Sequence, residues 1–104
     1  MNRKKPQECN SAEEIRAEID KIDRSIFELF AERHEFVEEI VKFKSDKAGI
    51  IAQERKERVI QQRKVWAVEL GLNPETFEKI YQILIENNIE HELKLLHKKT
   101  SLQK

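Results

Sequence analysis

Apolar residues recur at alternating spacings of three and four along the first half of the chain. They are Ile15, Ile19, Ile22, Ile26, Leu29, Phe36, Ile40 and Phe43, and the one gap in the series falls at Arg33. Such a heptad pattern places every member on one stripe of an α-helix. Ser11 and Glu14 precede it as a capping box, in which Ser11 accepts from the third helical amide and Glu14 accepts from the amide of Ser11. The pattern predicts a first helix from about Ala12 to about Ser45, roughly 50 Å long.

A second, shorter helix is predicted after a loop at Ser45 to Ile50, which contains a glycine. It runs from about Ile51 to Leu70, and its apolar face carries Val59, Trp66 and Leu70. Gly71 follows directly and is placed to end the helix in the left-handed conformation.

A third helix is predicted from the Asn73-Pro74 pair, an N-cap residue followed by proline at the first helical position. Its apolar positions are Phe77, Tyr81, Leu84, Ile85, Ile89 and Leu95. We expect it to end near His97, which leaves residues 1–10 and 98–104 as polar tails of a single domain, 1–104.

The length of the first helix bears on the assembly. A compact domain of about 100 residues has a radius of gyration of roughly 13 Å, so a helix of about 50 Å extends well beyond it. Two shorter helices do not cover such a stripe. The sequence therefore predicts an all-α, three-helix subunit with one long N-terminal helix, and a second copy of the chain as the cover.

Composition narrows the class further. Two glycines and two prolines in 104 residues are too few for the turns of a β-sandwich or barrel. Twenty basic residues balance twenty acidic ones, so no net positive field directs the chain to nucleic acid or an anionic membrane. There is no membrane-length apolar run and no signal-peptide pattern. A single cysteine, Cys9, excludes an internal disulfide, and we expect a cytoplasmic protein.

Candidate chemistry lies where polar residues interrupt apolar faces. These residues are Arg33 in the first helix, Lys44 at the loop, Arg55 in the second helix, and Asn88 and Glu92 in the third. One explanation is structural, with interhelical ion pairs or solvated faces; the other is a binding site for a small anionic ligand. Three scattered histidines and one cysteine do not make a zinc site, so we expect no metal and no cofactor.

Several segments are similar to a known family. Glu14–Asp23, Ala31–Arg33 and Lys42–Lys44 resemble the all-helical chorismate mutases, and Pro6–Cys9 and Trp66–Leu72 resemble their isochorismate pyruvate lyase branch. The resemblance implies an intertwined homodimer with two equivalent sites. It also implies a dianionic substrate, isochorismate or chorismate, that reacts by a pericyclic route without nucleophile, metal or cofactor.

The same resemblance implies roles for individual residues. Arg16 would reach a substrate carboxylate from the partner subunit, and Arg33 would bind the second carboxylate within its own subunit. Lys44 would lie over the breaking ether bond. Arg55 matches an arginine at the start of the second helix, and Glu92 matches a glutamine that donates to the ether oxygen.

Two departures from the mutase pattern favour the lyase. Mutases typically carry acidic residues at the positions of Ala52 and Lys56, where the lyase branch lacks them. Glu92 replaces glutamine, and only a protonated carboxyl can donate a hydrogen bond. The leading hypothesis is therefore a lyase that forms salicylate and pyruvate, with some mutase activity. A chorismate mutase that forms prephenate and a non-catalytic helical dimerisation module remain as alternatives.

Overall fold

The computed structural model describes residues 3–102, and all regular structure in that range is helical, with no strand. The helices are α1 (Ala12–Ile40), α2 (Lys47–Ile51), α3 (Gln53–Glu69) and α4 (Pro74–Leu102), with 3-10 turns at Pro6–Glu8 and Val41–Phe43. The predicted all-α class is confirmed. Three of the helices are long and α2 is a short addition.

The chain divides into two compact units, one up to Phe36 and the other from Val37 onward. In the first unit, the N-terminus of α1 is capped as predicted on one side, because the Glu14 amide donates to Ser11 Oγ at 3.1 Å. The reciprocal contact differs from the prediction. Glu14 Oε2 accepts from the Asn10 amide at 2.7 Å, one residue before Ser11.

The segment before α1 is not the plain polar tail that the sequence predicts. Pro6–Glu8 forms a 3-10 turn in which the Lys5 amide donates to Glu8 Oε1 at 2.9 Å. Lys4 Nζ lies 3.4 Å from Glu14 Oε1 and so ties the segment to the first turn of α1. Proline at the first position of the turn and these two contacts account for its order. Residues 1 and 2 lie outside the described range.

The predicted apolar stripe is present on α1 and is exposed to solvent in the single chain. No residue of α1 is buried, and Leu29 and Phe36 keep 63% and 70% of their surface exposed. The helix ends at Ile40 and is shorter than predicted, because the chain tightens into the 3-10 turn at Val41–Phe43 and its backbone is extended at Lys44.

The core of the second unit forms where three elements meet. Val41, Ile50 and Leu96 are buried together, and three half-buried residues pack against them: Ile89, Leu93 and Leu95. The predicted loop at 45–50 is therefore wrong in part, since α2 occupies Lys47–Ile51. Asp46 caps α2 by accepting from the Gly49 amide at 2.8 Å, and burial of Ile50 holds the short helix in place.

The buried face of α3 is rotated from the predicted one. Val59 is buried as expected, but its companions are Ile60 and Ala67, whereas Trp66 and Leu70 are 42% and 75% exposed. Each step of one residue turns a helix by about 100°, so the contact with α4 is centred one position further along.

The connection from α3 to α4 follows the predicted capping chemistry. Gly71 has φ +74°, its amide donates to the Val68 carbonyl at 3.1 Å, and the Leu72 amide donates to the Ala67 carbonyl at 2.7 Å. This is a Schellman motif. Asn73 Oδ1 then accepts from the Glu75 amide at 2.9 Å and caps α4.

Helix α4 continues beyond the predicted end near His97, so residues 98–102 are not a polar tail. Thr100 Oγ1 donates to the Leu96 carbonyl at 3.1 Å, and Lys99 donates to carbonyls of the segment 41–44. These contacts hold the last turns to the rest of the unit. Residues 103 and 104 lie outside the described range. No helix in residues 3–102 is long and apolar enough to span a membrane.

Candidate functional site

Two polar side chains are buried on the inner face of α4. Asn88 and Glu92 are 6% and 9% exposed, and they are the buried polar residues of the described range. Asn88, Glu92 and Leu96 follow one another at intervals of four residues, about one turn, so the polar pair continues the ridge that ends in the core. Their inward placement on α4, predicted from spacing, is confirmed.

Lys44 directly follows the 3-10 turn at Val41–Phe43 and comes three residues before the start of α2. Its amide donates to the Val41 carbonyl at 3.1 Å, and its own carbonyl lies 3.5 Å from Lys99 Nζ. The side chain is half-buried and passes close to Gly49, because a Cβ on that glycine would lie 3.7 Å from Lys44 Cδ. The backbone and the stem of Lys44 are therefore both held.

The first turn of α3 carries Arg55, which is exposed. Arg55 lies one turn before Val59. Because the buried face of α3 is rotated towards Ile60, Arg55 is at the edge of that face. Arg55 is thus available to a ligand and adds nothing to the core.

Two positions that flank Arg55 have distinct surroundings. Ala52 joins α2 to α3 in the left-handed conformation, with φ +37°. Lys56 Nζ lies 3.7 Å from Glu86 Oε1 on α4. Because these residues are alanine and lysine, neither supplies a carboxylate at this end of α3.

Arg16 and Arg33 both belong to α1. Arg16 is exposed and Arg33 is half-buried. Seventeen residues separate them along one helix, which is about 25 Å at 1.5 Å per residue. A small dianion does not span that distance, so the structure does not bring these two arginines of one chain to a common ligand.

A groove of about 520 Å³ in the first unit was not predicted. It lies between residues 3–9 and the first turns of α1, and its floor includes Ile15, Ile19 and Ile22. None of the six predicted site residues lines it. No sequence pattern indicates the groove, because it depends on the 3-10 turn folding back onto α1.

Carboxylates beside this groove are held in their charged form. The hydrogen bond from the Asn10 amide lowers the pKa of Glu14, and the nearby Lys4 ammonium acts in the same direction. The Lys21 ammonium, 3.0 Å away, lowers the pKa of Glu18. These pKa shifts follow from local pairing and do not indicate an acid or base catalyst.

The three histidines differ in exposure. His91 is half-buried on α4, and its Nε2 lies 3.2 Å from Glu38 Oε2. His34 and His97 are exposed.

Comparison with known proteins identifies the family of the chain. A family model for chorismate mutase type II matches residues 15–93, about three quarters of the chain. The chain belongs to the chorismate mutase type II family. All six predicted site residues lie inside the matched region, as do the stripe of α1 and the buried pair on α4.

Relatives in this family differ in the activity their names give. An isochorismate pyruvate lyase from Pseudomonas aeruginosa is 32% identical over 91 residues, covering 88% of this chain and 90% of that protein. A chorismate mutase from Methanocaldococcus jannaschii is 34% identical over 76 residues, covering 72% and 77%. A T-protein from Haemophilus influenzae is 30% identical over 80 residues, which are 76% of this chain and 21% of that protein.

Proposed function

We propose that the protein is an isochorismate pyruvate lyase that forms salicylate and pyruvate. The observation that carries the proposal is the near full-length similarity to the Pseudomonas aeruginosa lyase, which extends over 88% of the chain. The two positions where mutases typically hold the ring hydroxyl with acids support it. Here they are Ala52, at a helix junction, and Lys56, beside Glu86.

The reaction requires positioning and charge stabilisation. As the ether C–O bond breaks, a ring hydrogen moves to the enolpyruvyl methylene group, leaving an aromatic ring and pyruvate. Rate enhancement then comes from holding a reactive conformer and from stabilising charge that develops on the ether oxygen. In the proposed site Arg33 binds one carboxylate, Lys44 lies over the ether bond, and Arg55, Asn88 and Glu92 complete the contacts.

We further propose that the working form is a homodimer in which Arg16 enters the site of the partner subunit. Two observations support this assembly. The apolar stripe of α1 is exposed in the single chain, and burial of such a stripe by a second copy is favourable by about 25 cal/mol per Å². Arg16 is also about 25 Å from Arg33 along the same helix, so a shared ligand needs Arg16 from another chain.

Chorismate mutase is the second candidate function. The similarity to the Methanocaldococcus jannaschii chorismate mutase, 34% over 76 residues, favours it. A mutase would use the same cations on a dianion of the same size. A non-catalytic dimerisation module is the third, in which Arg33 only sets the helix register.

The two enzymes are distinguished by product. Purified protein is incubated separately with isochorismate and with chorismate, and salicylate fluorescence and prephenate are measured. A lyase gives a higher kcat/KM for isochorismate, with salicylate as product. A higher kcat/KM for chorismate, with prephenate as product, indicates a mutase instead. If neither substrate is turned over, the non-catalytic dimerisation module is the remaining hypothesis.

Arg33→Ala separates an enzyme from a module. Loss of a cation that binds a substrate carboxylate costs about 2–5 kcal/mol, so we expect kcat/KM to fall at least about 30-fold while the oligomeric state is kept. Arg24→Ala is the matched control, since Arg24 lies on the same helix, pairs with Glu28 at 3.2 Å and is 77% exposed. If Arg33 only sets the helix register, Arg33→Ala changes the oligomeric state instead.

Glu92 gives a pH test of the proposed chemistry. If the protonated carboxyl donates to the ether oxygen, kcat/KM falls as the pH rises through the ionisation of Glu92. Glu92→Gln retains a donor at all pH values and flattens that limb of the profile. A flat profile in the wild type contradicts the proposed role.

A further inference from the structure

The ammonium group of Lys99 meets three main-chain carbonyls at the end of the 3-10 turn. Lys99 Nζ lies 3.5 Å from the carbonyl oxygens of Val41, Lys42 and Lys44. A lysine ammonium has three donors and no acceptor, so one group serves all three carbonyls. The contact joins the last turns of α4 to a segment 55 or more residues earlier in the chain.

The Val41 carbonyl also accepts from the Lys44 amide within the 3-10 turn, and the Lys42 and Lys44 carbonyls lie where the helical hydrogen-bonding pattern ends. The backbone of Lys44 is extended, with φ −110° and ψ 131°, so the chain does not continue to cover them. A cation at a helix C-terminus is also favoured by the helix dipole. Lys99 therefore binds the backbone at the end of the 3-10 turn.

An apolar contact supports the ammonium from one turn away. Val41 and Leu96 are buried together in the core of this unit, and Leu96 precedes Lys99 by three residues on α4. The segment is thus held at Val41 by packing and at Lys44 by the ammonium.

The side chain of Lys44 is confined on its other side. A Cβ on Gly49 would lie 3.7 Å from Lys44 Cδ and 3.2 Å from Asp46 Oδ1. Asp46 in turn accepts from the Gly49 amide. The direction of Lys44 thus depends on the backbone that Lys99 holds and on the α2 turn beside it.

We propose that Lys99 is a positioning residue, which sets the place of Lys44 without touching the substrate. The inference rests on the proposed function, in which Lys44 contacts the breaking ether bond. A lysine at the far end of the chain thereby determines the geometry of a site residue on the loop.

Kinetics test the coupling. Lys99→Met keeps the aliphatic stem and removes the ammonium, Lys99→Arg restores a cation, and Lys98→Met alters an exposed neighbour. We expect Lys99→Met to lower kcat about 10-fold or more with a smaller change in KM, Lys99→Arg to recover part of it, and Lys98→Met to match the wild type. In a Lys44→Met background, Lys99→Met should change kcat/KM less than about twofold, because the two act as one unit. An equal loss in both backgrounds, or no loss in either, overturns the proposal.

Amide hydrogen exchange tests the same proposal without reference to activity. The amides of Lys44, Gly49 and Ile50 donate within the segment, and we expect their exchange to accelerate about 10-fold in Lys99→Met and to stay unchanged in Lys98→Met. Unchanged exchange in Lys99→Met overturns the positioning role. If the wild type turns over neither substrate, the proposed function fails, and the exchange result alone decides whether Lys99 holds Lys44.

Discussion

At the scale of single residues, two positions adopt the left-handed backbone conformation for different reasons. Gly71 ends α3 with φ +74°, and apart from its own chain neighbours no heavy atom lies within 4 Å of where its Cβ would be. Ala52 adopts φ +37° between α2 and α3, although it carries a Cβ. The conformation of Gly71 was predictable from sequence, because a glycine directly after a helix commonly adopts the left-handed conformation. Ala52 was not, because only the junction of two helices imposes it.

Ala52→Gly should raise the free energy of unfolding by about 0.5–1 kcal/mol. The left-handed conformation costs an L-residue roughly 1–2 kcal/mol, which glycine avoids. The greater freedom of glycine in the unfolded chain offsets about 0.4–1 kcal/mol of this stabilisation. Urea denaturation followed by circular dichroism measures the change. Gly71→Ala is the converse control and should lower stability by about 1 kcal/mol; stabilisation by that change would contradict the argument.

Glu14→Gln should remove part of the acid sensitivity of the fold. Hydrogen bonding from Asn10 lowers the pKa of Glu14, so its contribution is fully present above the ordinary glutamate range and is lost as the pH falls through the lowered value. Thermal melting across acidic pH should show the wild type more stable than the variant at neutral pH and the two converging in acid. Glu13→Gln, also in the first turn, is the control; a difference that persists unchanged into acid would contradict the assignment.

At the scale of elements, α3 and α4 are joined by a stacked arginine as well as by apolar contacts. The Arg63 guanidinium lies 4.5 Å from the ring centre of Trp66 and 5.4 Å from that of Tyr81. Cation–π contacts of this kind contribute about 0.5–2 kcal/mol. Sequence periodicity predicted Trp66 as part of an apolar core face, whereas in the structure it is half exposed and covers the arginine.

Arg63→Lys should lower the free energy of unfolding by about 0.5–1 kcal/mol, since lysine keeps the charge but loses the planar group that stacks on the rings. Chemical denaturation, with Trp66 fluorescence as the probe, measures it. Arg58→Lys on the same helix is exposed and should be neutral within about 0.3 kcal/mol. Equal effects of the two substitutions would indicate that stacking contributes nothing.

At the scale of the whole molecule, the exposed stripe of α1 and the separation of Arg16 from Arg33 both bear on the proposed homodimer. An exposed apolar face of this extent is typical of an interaction surface. In a two-fold dimer each site would take Arg33 from one chain and Arg16 from the other, so two defects can complement each other.

Mixing Arg16→Ala and Arg33→Ala chains should restore activity that neither has alone. Random reassociation at equal amounts gives half heterodimers, each with one intact site of two, so the mixture should recover about a quarter of the wild-type activity. The mixed protein is assayed after joint unfolding and refolding, with separately refolded variants as controls. Recovery no greater than the average of the two variants would exclude a site shared between chains.

The sequence by itself determined the helical class, the stripe of α1, the caps at Ser11 and Asn73, the Gly71 terminator and the inward placement of Asn88 and Glu92. Each of these depends on residue type and on spacing along one helix, which the chain carries locally. The tertiary structure decided the short helix α2, the rotated face of α3, the extension of α4 and the hold of Lys99 on the 41–44 carbonyls. These depend on which elements meet, and a contact between residues more than 50 positions apart leaves no periodic signal in the sequence.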